Sequence, residues 1–362
     1  MLSHVNTSGF AALLYPTVNR EGRETAVVVV RATFELNRNG RLEPVDDQTA
    51  VRLEDVFCGK PGLSTALEES DLAVYKPGTD VVVVGSAHAR NGRPAPSVQV
   101  GVRVGDLHKS ARVTGDRVYQ RAFGVGPLIA SAPMPFTTMP LIWERSFGGV
   151  DPRTIDSERP QSDARNPIGC GYKAGKLFRT PVAGQRLPNI LPLGKDSGSS
   201  TEPWGFSPIG RAWLPRYPLA GTYDERWQAD RAPFLPLDFD YAFFQCAPRG
   251  LTSGHHLHGD EPVTVVNMDP EQELNFNLPG LVMGLTIRVD GKPARRCLAA
   301  LDTVVLEPAR RRVALVWRRA IVCRRSTGEV LKVVSFALSR RGAAAVIGTE
   351  VNAPVGEPAW KS

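Results

Sequence analysis

Cysteine is scarce in this chain and poorly placed for chemistry: Cys58, Cys170, Cys246, Cys297 and Cys323 are odd in number, scattered, and never in a C-x-x-C pair. That argues against a disulfide framework or a zinc ribbon and makes reduced structural thiols the expectation. Long apolar runs are missing as well. Stretches such as Ala26 to Val30 and Val81 to Val84 fall far short of the roughly 20 residues a membrane helix needs, so no transmembrane span is expected. Met1 to Gly9 is polar and lacks the basic-then-apolar order of a secretory leader, although Phe10 to Tyr15 is a short apolar patch; a cytoplasmic location is the expectation. There is no Walker loop and no dinucleotide fingerprint, and Ser64, Ser146 and Ser207 lie in no G-x-S-x-G elbow. The common kinase, dehydrogenase and hydrolase readings lose their usual support. Charge is modest at 22%, against 42% hydrophobic residues, the composition of a folded chain and not of a disordered one.

What is present points to β structure. Glu24 to Asn37 is rich in valine and threonine, and Asn37-Arg38-Asn39-Gly40 supplies a tight turn before Arg41 to Val45, a hairpin pattern. Asp80 to His88 and Ser97 to Val104 form a second block, and strands return at Val263 to Met268, Leu285 to Val289, Thr303 to Leu306, Val313 to Trp317 and Val330 to Leu338. The turn Asp290-Gly291 follows one of them. Between Ser131 and Gly250 lie 16 of the 30 prolines and four of the six tryptophans. Proline forbids long regular elements there, while the tryptophans imply an ordered, irregular backbone and not a linker; only Lys195 to Ser200 reads as a flexible loop. The expected fold is mainly β, with little helix: sandwich-like or barrel-like strands at both ends and a long Pro/Gly/Trp-rich middle. Its stretches are an N-terminal β lobe (1–135), a central irregular segment (136–260) and a C-terminal β lobe (261–362).

Three groups could carry chemistry. His255-His256-Leu257-His258-Gly259-Asp260-Glu261 holds metal-type donors, with His256, His258 and Asp260 the candidates, but no distant third ligand is evident and the run equally forms a turn before a strand. Cys170 sits between glycines, a tight turn where a buried thiol fits; a nucleophile there needs a positioned base that the sequence does not supply. Close-set charges at Glu144-Arg145, Asp151 to Arg153, Asp224 to Arg226, and Asp238 with Asp240 could do acid and base work, yet in irregular loops such side chains brace backbone groups. The net charge of +7, dense around Arg310 to Arg325, would suit an acidic partner. Arg310 to Arg312 and Arg318-Arg319 fall at strand ends, where they are expected to be solvated, and no nucleic-acid motif accompanies them.

The middle of the chain also reads as a string of fixed phrases: Trp143-Glu144-Arg145-Ser146-Phe147-Gly148-Gly149, Asn166-Pro167-Ile168-Gly169, Leu187-Pro188-Asn189, Gly205-Phe206-Ser207-Pro208-Ile209, Gly221-Thr222-Tyr223-Asp224, Pro236 to Asp240 and Leu257 to Glu261. With the later Leu301-Asp302-Thr303 and Trp317-Arg318, they resemble the bacterial domain-of-unknown-function 2169 family, whose members accompany type VI secretion genes. The resemblance runs from about residue 25 to about residue 322 as one continuous domain and departs at Pro248-Arg249-Gly250, where an acidic residue would follow the proline. It implies a non-enzymatic adaptor or chaperone that binds a secretion effector in the cytoplasm and helps load it onto a VgrG or PAAR spike, without cofactor, metal, membrane or nucleic acid. The family has no established catalytic residues to carry over. Aromatic residues and arginine most often anchor interfaces, so Trp143, Arg145, Phe147, Trp204, Phe206, Trp213, Tyr223 and Trp227 are the candidate partner contacts; each aromatic could equally fill the core beneath its own loop. The alternative is a Cys- or His-based hydrolase acting on a cell-wall or sugar substrate.

Overall fold

The computed structural model describes residues 2–174, 182–195, 201–271, 273–289, 294–323 and 331–339. In chain order, the strands of its two large sheets are β1 (Leu2–Asn6), β2 (Ala11–Val18), β3 (Glu24–Leu36), β4 (Leu42–Pro44), β5 (Asp80–Val83), β6 (Ser97–Val104), β7 (Leu107–Thr114), β8 (Ile190–Leu191), β9 (Pro262–Val266), β10 (Glu273–Asn277), β11 (Leu281–Val289), β12 (Arg295–Glu307), β13 (Arg312–Val322) and β14 (Leu331–Ser339). The only α-helix among the described residues is α1 (Glu225–Asp230). The mainly β architecture with little helix is therefore as the sequence indicates. No helix among the described residues is long and apolar enough to cross a membrane.

The larger sheet runs β1-β14-β11-β12-β13-β3-β2, with β4 added to β3 and β5 to β12. Its shape follows from chain reach. Laid flat, seven strands at roughly 4.8 Å spacing would hold β1 and β2 about 29 Å apart. The connection from Asn6 to Ala11 reaches only about 18 Å when fully stretched. The sheet must curl, and it forms a half-barrel. The smaller sheet, β8-β7-β6-β9-β10, shares one hydrophobic core with it.

Strand periodicity places the core. Ala26, Val28, Val30, Ala32, Phe34 and Leu36 of β3 face inward and meet Val98, Val100, Val102 and Val104 of β6 and Val263 and Val265 of β9. Successive side chains of a strand alternate faces, so one face of each sheet feeds the same core. Val27 and Val29 on the other face of β3 are also buried, against Val316. This explains why β3 reads as an unbroken apolar run: it is covered on both sides.

The stretches 1–135 and 261–362 share both large sheets. β3 pairs antiparallel with β13, Val30 opposite Trp317; β5 pairs parallel with β12; and β1 pairs parallel with β14. In the smaller sheet, β6 pairs with β9. Each half supplies strands whose apolar faces would otherwise lack a partner. The Asn37 to Gly40 hairpin is present, with the Asn37 N–H donating to the Arg41 carbonyl. The turn at Asp290-Gly291 and all of the Lys195 to Ser200 loop but Lys195 lie outside the described residues.

Candidate functional site

The irregular middle is held by interlocking of the phrases seen in the sequence. The Trp143 indole is buried against Gly205, where an added Cβ would lie 2.8 Å from the ring. Its Nε1–H donates to the carbonyls of Ser207 and Pro208, and its ring meets Trp213 edge-on with centroids 5.9 Å apart. Asn166 Nδ2 donates to the carbonyls of Trp143 and Phe147, both at 2.9 Å. That clasp lets the segments at Phe147 and Cys170 run parallel for two residues. Gly149 is there because a Cβ would lie 2.1 Å from the Gly169 carbonyl oxygen; only glycine allows so close a backbone approach.

Burial removes several expected partner contacts from the surface. Trp143, Phe147, Phe206 and Trp213 are buried, because an irregular segment without its own sheet needs large side chains to anchor it to the core. Trp204 is half-buried, with the Lys109 ammonium 3.5 Å from its ring centroid. Arg145 is half-buried and engaged with Asp116 and Asn189. Tyr223 is exposed, and the partly exposed Trp227 stacks edge-on against it at 4.7 Å.

The candidate catalytic groups have structural partners. Burial pushes the Cys170 thiol up to about 11, and its sulfur approaches the Ser146 carbonyl, so it is no ready thiolate. His256 is half-buried with Nε2 2.9 Å from the Lys76 carbonyl oxygen, and burial lowers its pKa. The Glu261 carboxylate accepts the backbone N–H groups of His258 and Gly259, closing a turn through His256, His258 and Asp260, the residues that carried metal-type donors in the sequence. Among the described residues, no three His, Cys, Asp or Glu side chains converge to hold a metal ion.

The loop carboxylates brace backbone. Glu144 accepts the Thr65 N–H, Asp224 caps α1 by accepting the Trp227 N–H, and Asp238 accepts the Thr222 N–H. Arg153 hydrogen bonds hold the Asp151 carboxyl down to about 2, with help from the Ala174 and Arg153 backbone amides and against the effect of burial.

A buried ionic cluster on the outer face of the larger sheet escaped sequence reasoning. Arg31 meets Glu68 at 2.5 Å and Asp71 at 3.2 Å. Arg318 meets Asp302 at 2.5 Å and also donates to the Asp71 and Ala73 carbonyls, and Lys76 meets Asp80 at 2.9 Å. Arg318 is thus a core residue, not the solvated strand end expected. It leaves the strand on the outer face, where the 65–80 segment folds over it. Arg311 pairs with Asp269 and Glu271, and Arg310 with Glu307; Arg324 and Arg325 lie outside the described residues. A cavity of about 20 Å³ remains between Arg31, Glu68, Lys76, Cys246 and Arg318, room for a water but not for a substrate.

The surface carries a different signal. Of the 18 exposed large apolar side chains among the described residues, five fall at Leu214, Tyr217, Tyr223, Phe234 and Leu237, and five at Val118, Phe123, Val125, Ile129 and Met134. Scattered exposed apolar residues are ordinary, but clusters mark interaction surfaces. Within the 214–237 group, the stretch from Thr222 to Asp238 is tied together by the Tyr223–Trp227 contact, by the Trp227 indole N–H donating to the Phe234 carbonyl, and by the Asp238–Thr222 bond beside Leu237.

Compared with models of known protein families, residues 21–318 match one described as an uncharacterized protein conserved in bacteria (DUF2169). No curated protein and no solved structure matches the chain.

Proposed function

This chain belongs to the bacterial DUF2169 family, and from that premise we propose that it is a non-enzymatic adaptor that binds a type VI secretion effector and assists its loading onto a VgrG or PAAR spike. The observation that carries the protein-binding part is the exposed apolar group at 214–237, with Tyr217 64% and Leu237 68% exposed, on a braced loop. Exposed aromatic and aliphatic side chains on a pre-ordered segment bind with little loss of entropy. The assignment to type VI secretion is supported by the family phrases between Trp143 and Glu261. The candidate nucleophile and histidines are engaged in structural bonds, which favours binding over catalysis.

The test is purification of the tagged protein from the bacterium that makes it, with bound proteins identified and metal measured on the same sample. The expected result is a toxin-like effector or a spike protein in stoichiometric yield, lost by at least tenfold in a Tyr217→Asp/Leu237→Asp variant that melts like the parent. A protein that carries metal, turns over a substrate and captures neither would overturn the reading.

A further inference from the structure

The second exposed apolar group centres on a two-stranded hairpin that follows β7 in the chain. Tyr119–Arg121 pairs antiparallel with Leu128–Ala130, and the tip between them is closed by backbone bonds: the Ala122 N–H donates to the Pro127 carbonyl at 2.9 Å, the Gly126 N–H to the Ala122 carbonyl at 2.7 Å, and the Val125 N–H to the same Ala122 carbonyl. Gly126 makes that closure possible, since a Cβ there would lie 2.7 Å from the Ala122 oxygen. At the tip Phe123 has φ of 51° and a fully exposed side chain, and Val125 beside it is 86% exposed.

This arrangement combines two unfavourable features. A bulky non-glycine residue in the left-handed region is strained, and an aromatic ring held in water gains nothing for the fold. Asparagine or glycine would satisfy the backbone better. The tip is nonetheless hydrogen-bonded into one shape, so the ring is presented in a fixed direction, which reduces the entropy lost on docking.

The charge around the hairpin has one sign. From Arg117 to Trp143 the chain carries Arg117 and Arg121 and no Asp or Glu. The neighbouring strand segment bridges Val118 through Arg186, and the Lys173 ammonium lies 4.9 Å from the Tyr119 ring centroid. The acid adjoining the hairpin, Asp116, pairs with Arg145. We propose that the hairpin is a docking element that inserts Phe123 and Val125 into an apolar pocket rimmed by acidic side chains on a protein partner. The inference rests on the protein-binding reading above and assigns it a contact of its own, separate from the 214–237 surface.

The test places the photo-crosslinker p-benzoylphenylalanine at position 123, and at exposed Leu53 as a control, in the full chain within the cells that make it. Adducts are mapped by mass spectrometry. The expected result is an adduct from position 123, absent from position 53, at an apolar site flanked by Asp or Glu on another protein. Its yield should fall at least threefold when lysate is irradiated at about 0.5 M instead of about 0.05 M salt, because screening shortens the reach of charge. Phe123→Asn, which suits the left-handed backbone and should melt no lower than the parent, should weaken binding of the identified partner at least tenfold.

An adduct with lipid, an adduct with a second copy, a site without acidic neighbours, or no adduct would each overturn the proposal. Capture of an effector by the parent with no effect of Phe123→Asn would overturn it while leaving the adaptor reading intact. An acidic partner outside the secretion machinery would do the reverse.

Discussion

Removing the Asp80 carboxylate should be among the most damaging single changes in the molecule. Asp80 is wholly buried and accepts four bonds: from Lys76 Nζ at 2.9 Å, the Cys246 N–H at 2.9 Å, the Ala247 N–H at 3.3 Å and Thr252 Oγ1 at 3.1 Å. Asp80→Ala leaves the Lys76 ammonium with Thr303 Oγ1 and strips two buried backbone donors of their partner. Breaking one side of a buried ion pair costs about 3–5 kcal/mol, and orphaned donors act in the same direction. With an unfolding entropy of about 2.1 cal/mol/K per residue, 362 residues give about 0.76 kcal/mol/K, so the expected fall in Tm is about 4–7 °C. Burial alone would push the Lys76 ammonium down, but Asp80, with Cys246 and Asp302, more than reverses this and holds it above its ordinary value. The sign follows: the pair's contribution is complete below about pH 10 and fades only as pH climbs past that point. The assay is thermal and urea unfolding followed by tryptophan fluorescence at pH 7, for Asp80→Ala, Lys76→Met and the double variant. The double variant should lie at least about 2 kcal/mol above the sum of the single losses, because neither charge is then left alone. A Tm within about 1 °C of the parent for Asp80→Ala, or strict additivity, would refute the reasoning.

Three further outcomes follow from the described geometry. In native protein at pH 8, iodoacetamide should label exposed Cys58 and leave Cys170 and fully buried Cys246 untouched; rapid labelling of Cys170 would revive it as a nucleophile. Burial brings the Lys109 ammonium down to about 8, so between about pH 8 and about pH 10.4 the unfolded chain binds the extra proton and stability should rise with pH, by up to about 3 kcal/mol. Denaturant midpoints of the parent should show that rise, and those of Lys109→Met should lack it. The Asp151 carboxyl, held down to about 2, should contribute about 2 kcal/mol above about pH 4 and lose it as pH falls toward 2; Asp151→Asn should unfold more readily at pH 6 and converge on the parent near pH 2, as read by acid titration of fluorescence.

Much of the sheet framework was legible. The valine alternation of β6 and the apolar runs of β3 and β12 are direct records of which faces are covered, and covered faces are what a sheet needs. The strands that escaped are β1, β2, β7, β8 and β10, and β7 shows one reason: Leu107 to Thr114 mixes His, Lys, Ser and Arg with small or branched residues, and such patterns separate poorly from loops. Pairing partners were not legible, since nothing local in Thr25 to Leu36 says that its neighbour is Arg312 to Val322; that is decided by which apolar faces remain uncovered after the local hairpins form.

The candidate site divides along the same physical line. Composition told that the Trp-rich middle is ordered, but a tryptophan that anchors a loop and one that anchors a partner look identical in sequence. What separates them is the backbone around the ring. Gly205 and Gly210 lie under the Trp143 and Trp213 rings, where a Cβ would come within 2.8 Å and 2.7 Å, so glycine beside tryptophan in this segment marks a ring pressed onto the chain itself. Phe123 also stands beside a glycine, yet Gly124, at a φ of 81°, has no atom within 4 Å of an added Cβ. A glycine near an aromatic ring therefore accompanies close packing in one place and a sharp, outward turn in the other. The positive φ at Phe123 together with its full exposure, neither of which a sequence displays, marks a side chain placed at the fold's expense, and it is that residue whose replacement should alter binding without lowering stability.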